Sequence, residues 1–152
     1  MSLDAARKDT ARAEADLADE LLKIGERHKA DHDVYHLTRT LAKLAQSHAA
    51  ELRGEDAEPT DSGGPMRAIR EKASELMGSR EPAGALLLRD LKALYLAASE
   101  ASICWTILGQ GAQANRDGEL LATVTRCHDE TLRILRWVTT RIKTTAPQVL
   151  AA

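Results

Sequence analysis

The sequence predicts an all-α chain folded as a four-helix bundle. Apolar residues recur at spacings of three and four along most of the chain. Alternating runs rich in β-branched residues, which would signal strands, are nearly absent. The helical stretches also fall into two pairs, separated by a connection of roughly 30 residues, the layout of two antiparallel hairpins joined by a long crossover. With 152 residues the chain has the size of one domain, residues 1–152, with 54–83 as the crossover.

The first helix carries one seam: Leu3, Ala6, Thr10, Ala13, Leu17, Leu21, Ile24 and His28. The same phase would next reach Asp31, Tyr35 and Thr38, where it fails. A new seam starts with Val34, Leu37, Leu41, Leu44, His48 and Leu52. This phase break predicts a turn over residues 29–33, with Asp31 or Asp33 as the N-cap of the second helix. "GEDAEPTDSGGP" (54–65) is a loop by composition, and "MRAIREKASELMGS" (66–79) a short helix ended by Gly78. A third long helix is expected over residues 85–115. After the turn at "RDG", a fourth runs over 119–144, with Pro147 beyond its end. Its seam is Leu121, Val124, His128, Thr131, Leu135, Val138 and Ile142.

Net charge −2 and a pI near 6.2 supply no general attraction to nucleic acid or an anionic membrane, so neither is expected as a partner. "MSLDAARKDTARAEADLADE" is charged throughout, and its lack of an apolar run argues against a secretory signal. "ALYLAASEASICWTILGQGAQAN" (93–115) has the length of a membrane span. It contains Glu100, Gln110 and Gln113, which favours a buried core helix. Two cysteines cannot build a disulfide framework, and this suits a reducing cytoplasm. With no phenylalanine and 3% aromatics, the core has to come from Leu, Ala, Ile and Val.

Glu100 is the one charge in that apolar stretch, so its company matters. At about 1.5 Å per residue, Glu14 lies about 22 Å down the first helix and His48 about 22 Å down the second. If the crossover returns the chain to the starting end, Glu100 lies about 24 Å down the third, with His128 roughly 7 Å lower on the fourth.

This arrangement resembles the ferritin-like superfamily, whose di-iron members place a Glu on each of two helices and Glu-x-x-His on the other two. The third and fourth helices, "LLLRDLKALYLAASEASICWTILGQGAQANRDGELLATVTRCHDETLRILRWV", are most similar to small bacterial proteins of that superfamily, some of them stress-associated. The resemblance implies a metal site of Glu14, His48, Glu100 and His128, holding iron or zinc. Ala45 and Thr125 stand three residues before the two histidines, so both bridging carboxylates are missing. This disfavours oxidase chemistry and an enzymatic role. The alternative is a metal-free protein-interaction module in which Glu100 is a buried structural ion pair with Arg133 or Arg136.

"HKADHDVYH" spaces His28, His32 and His36 one turn apart, which suits zinc or nickel on a continuous helix. The predicted turn would scatter them. Cys104 and Cys127 are expected as small buried hydrophobes. Arg126, Arg133, Arg136, Arg141 and Lys143, interrupted by Asp129 and Glu130, read as a solvated helical face. No phosphate-binding loop, nucleophile elbow, Cys-x-x-Cys or Ser-His-Asp arrangement is present. Leu94, Ala98, Ala101, Trp105 and Leu108 form the core seam of the third helix. Leu96, Ile103 and Ile107 lie on another side with Glu100, and this second apolar face predicts a homodimer.

Overall fold

The computed structural model describes residues 1–54 and 82–151, which form four helices and no strand. They are α1 (Leu3–Arg27), α2 (His32–Arg53), α3 (Ala83–Ala114) and α4 (Gly118–Leu150). The expected crossover and its short helix lie outside the described residues.

Side-chain caps set three of the helix starts. Ser2 Oγ accepts from the Ala5 N–H, Asp31 Oδ1 from Val34 and Asp117 Oδ1 from Leu120, each satisfying an amide that has no partner within its helix. Asp31 is one of the two caps expected for the second helix. At the α3–α4 turn Arg116 takes a positive φ of 53°, letting the chain reverse in three residues.

α1 packs on α2, α3 packs on α4, and α1 and α3 form the central pair, while α2 and α4 approach only slightly. α3 runs antiparallel to α1. Gly111 lies beside Leu3, Thr10 Oγ1 donates to the Cys104 carbonyl, and Arg27 reaches Asp90. α3 has the length and composition of a membrane span, but the face made of Leu91, Leu94, Ala98, Ala101, Trp105 and Leu108 is closed within the bundle.

Two predicted seams are displaced. On α2 the buried positions are Val34, Thr38, Ala42, Ala45, His48, Ala49 and Leu52, with Leu37, Leu41 and Leu44 flanking them. On α4 they are Leu120, Val124, Cys127, Thr131, Ile134 and Val138, again spaced by four and three. His128, Leu135 and Ile142 sit on the flank. On α2 most of the buried positions are thus small, Thr38, Ala42, Ala45 and Ala49, and the larger leucines flank them. Gly25 shows the same economy, because a Cβ there would meet Thr38 Oγ1 at 2.1 Å.

The predicted end of the fourth helix is also corrected. α4 continues through Pro147 to Leu150. The missing amide falls on the exposed side, where water can serve the freed carbonyl. Thr145 is buried, and Val149 packs against Gly84 at the start of α3, so tertiary contact holds the last turn.

Candidate functional site: a buried polar cluster

The two hairpins meet around a carboxylate that has no solvent exposure. Glu14 projects from α1, buried with Thr10 and Ala18 one turn to either side, and Trp105 from α3 is buried as well. Trp105 Nε1 donates to Glu14 Oε1 at 2.5 Å, and Thr131 Oγ1 from α4 donates to the same oxygen at 2.6 Å. His48 from α2 completes the level, its ring edge-on to Trp105 with centroids 6.1 Å apart.

His48 lies between two carboxylates. Its Nδ1 is 3.3 Å from Glu14 Oε2 and its Nε2 is 3.5 Å from Glu130 Oε1. Neither contact is aligned as a hydrogen bond, and Glu14 Oε2 and both ring nitrogens are buried without one. The attraction is therefore chiefly charge on charge. Burial alone pushes the His48 pKa down, but contact with Glu14 and the charges of Glu14 and Glu130 outweigh it, and the net shift is upward. From Glu130 the polar chain continues outward to Arg126 at 3.4 Å, and Arg126 pairs with the exposed Glu51.

The structure brings together two of the four expected ligands, Glu14 and His48. Glu100 is exposed, contrary to its expected burial, because it shares the outer face of α3 with Leu96, Ile103 and Ile107. Glu100 points away from the bundle, and Trp105, five residues or about 7.5 Å further along α3, meets Glu14 instead. Of the arginines expected opposite it, Arg133 lies 3.4 Å from Asp129 on its own helix, and Arg136 is exposed. His128 is half-buried, with Nε2 2.9 Å from Ser102 Oγ. Burial lowers its pKa, against the opposing charges of Glu14 and Asp129.

This donor set does not fit the expected four-ligand iron or zinc centre. One oxygen of Glu14 is already taken by an indole N–H and a hydroxyl. The two nitrogens of His48 face different carboxylates. Among the described residues, no group of three or more His, Cys, Asp or Glu is placed to hold a metal ion. The chemistry this arrangement can perform is charge neutralisation and alignment of four helices at one level.

A second polar contact closes one end of the bundle. Asp90 on α3 is buried, accepts from Arg27 Nη1 at 2.9 Å, and lies 2.6 Å from His28 Nε2. The Arg27 guanidinium sits at the C-terminal end of α1, where the helix dipole favours positive charge.

The cysteines are free, Cys127 buried and Cys104 half-buried. Burial pushes the Cys104 thiol up to about 11, with the charges of Glu100, Asp9 and Glu14 adding to it. Burial raises Cys127 to about 12 despite the opposing charge of Arg126. Neither is a thiolate nucleophile at neutral pH.

Trp105 and Thr131 were legible as seam residues but not as partners of Glu14. The available signal is that a buried indole N–H needs an acceptor, and Glu14 lies beside the first helix's seam, next to Ala13. No protein family model, curated protein or solved structure matches this chain.

Proposed function

We propose that this chain is a non-enzymatic, ferritin-like helical scaffold of the cytoplasm that homodimerises through the outer face of α3. The observation that carries the reading is the apolar stripe of Leu96, Ile103 and Ile107, exposed by 53%, 56% and 48%. Single exposed leucines are ordinary on soluble proteins. These three lie within about 40° of one another around the helix and span roughly 16 Å along it. Tyr95, 41% exposed, is a further exposed apolar side chain on this helix, about 100° round from Leu96. α3 thus offers one apolar face to the bundle and a second to solvent, as a helix shared between two subunits does.

The ferritin-like wiring is supported by the antiparallel pairing of α3 with α1. α2 and α3 then run in the same direction, so the end of α2 and the start of α3 lie at opposite ends of the bundle. A structural role for the Glu14–His48 cluster is supported by its two short hydrogen bonds from Trp105 and Thr131.

Light scattering on the purified chain tests the scaffold reading. A dimer at micromolar concentration, converted to a folded monomer by Leu96→Glu with Ile103→Glu, is the expected result. A wild-type monomer at tens of micromolar would remove the proposal. Metal retained in stoichiometric amount through purification without metal-affinity resin, and lost in Glu14→Gln, would replace it with a mid-bundle metal protein.

A further inference from the structure

The turn between α1 and α2 sorts the three spaced histidines differently from the sequence expectation. His28 closes α1 and is engaged by Asp90. The helix restarts at His32, so His32 and His36 stay on one continuous helix, four residues apart. Both are exposed, and their rings lie side by side, with centroids 6.2 Å apart and planes within 11° of parallel. The His36 ring is also braced edge-on by Tyr35, at 5.2 Å.

We infer that His32 and His36 form a surface chelate for a late first-row divalent ion, Zn²⁺, Ni²⁺ or Cu²⁺. Imidazole is a preferred ligand for these ions, and the i, i+4 spacing is the one by which helical histidine pairs hold zinc. At zinc–nitrogen distances of 2.0–2.1 Å, two imidazoles on one tetrahedral ion place their ring centres about 5 Å apart. Closing from 6.2 Å to that separation takes a shift of about 1 Å, within the reach of two exposed side chains on one helix face.

The local charges oppose and assist. The partial positive charge of the α2 N-terminus and the guanidinium of Arg141, which lines the same groove as both histidines, disfavour a cation. Arg141 is paired with Asp31, which also caps α2. Asp33, next to His32 and three residues before His36, adds an exposed carboxylate on the groove's rim. Two nitrogens leave the remaining coordination positions facing the open groove between α2 and α4, whose wall includes Trp137 and Thr140. The site is therefore a two-histidine chelate with room for further ligands, separate from Glu14 and His48.

Titration calorimetry of the untagged, chelator-stripped chain with ZnCl₂ and with NiCl₂ tests this. One equivalent per chain is expected to bind, with His32→Ala or His36→Ala each weakening affinity by roughly tenfold or more. The double variant should lose binding while its circular dichroism stays unchanged, since both rings are exposed. His48→Gln should bind as the parent does. The inference is overturned if the parent binds neither ion. It is also overturned if the double variant binds as well as the parent, or if His48→Gln or Glu14→Gln alone abolishes binding.

Discussion

Glu14 and His48 face each other across α1 and α2 at 3.3 Å, and neither side chain has any exposure to solvent. Such a pair is costly to desolvate, and breaking it costs more than keeping it, because the remaining partner is stranded. Glu14→Leu also removes the acceptor for Trp105 and Thr131. The expected loss is about 3–5 kcal/mol by urea denaturation. Glu14→Gln keeps an acceptor oxygen and should cost less. A loss below about 1 kcal/mol in Glu14→Leu would contradict the central role given to this carboxylate.

The two bundle histidines carry pH effects of opposite sign. The folded pKa of His48 is raised above the ordinary 6.5, so its contribution is fully present below that value and fades as pH rises through the folded pKa. The folded pKa of His128 is lowered, so its contribution is present above 6.5 and is lost as pH falls through the folded value. Stability measured by urea denaturation from pH 5 to 9 should therefore lose its alkaline decline in His48→Gln, and its fall on the acid side should soften in His128→Gln. An unchanged alkaline limb in His48→Gln would reject the assignment.

Asp90 holds both Arg27 and His28, linking the last turn of α1 to the second turn of α3. Asp90→Ala should cost on the order of 3 kcal/mol, since it leaves two donors without their acceptor. Amide hydrogen exchange should quicken first near residues 24–28, the turn it anchors. Uniform acceleration along α1 instead would mean that the contact does not act locally.

At Gly25, α1 packs directly against Thr38 of α2. Gly25→Ala raises helix propensity by about 1 kcal/mol, yet the added methyl collides with Thr38, so a net loss of about 1–3 kcal/mol is expected. Thr38→Ala in the same chain should recover much of it, and the double-mutant cycle measures how much. Additive effects would show that the two residues do not compete for space.

Helix starts were readable because caps and phase breaks are local: Asp31 stops one seam and starts the next. The inner face of α3 was readable because Leu94, Trp105 and Leu108 mark it, with Ala98 and Ala101 in phase between them. The seams of α2 and α4 were misplaced by about one residue because Leu37, Leu41, Leu44 and Leu135 outweigh Thr38, Ala42 and Ala45 on any hydropathy count. Close helix packing rewards the small residues instead. That displacement put His128 in the core and hid Glu130. Glu100 was misplaced for a related reason. An isolated charge in an apolar run reads as buried only if the whole helix is buried, and one side of α3 is open.

The hydrogen bonds at the centre also bear on the order in which the chain assembles. Glu14 reaches Trp105 across 91 residues and Thr131 across 117, whereas each hairpin closes through a turn of a few residues. Loop-closure entropy favours the short-range contacts first. This argues that the two hairpins form early and nearly independently, and that the Trp105 and Thr131 donors find Glu14 only when the hairpins dock. The interior carboxylate then tests register: a docking that slips by one turn leaves a charge buried among alanines and leucines, and separates again.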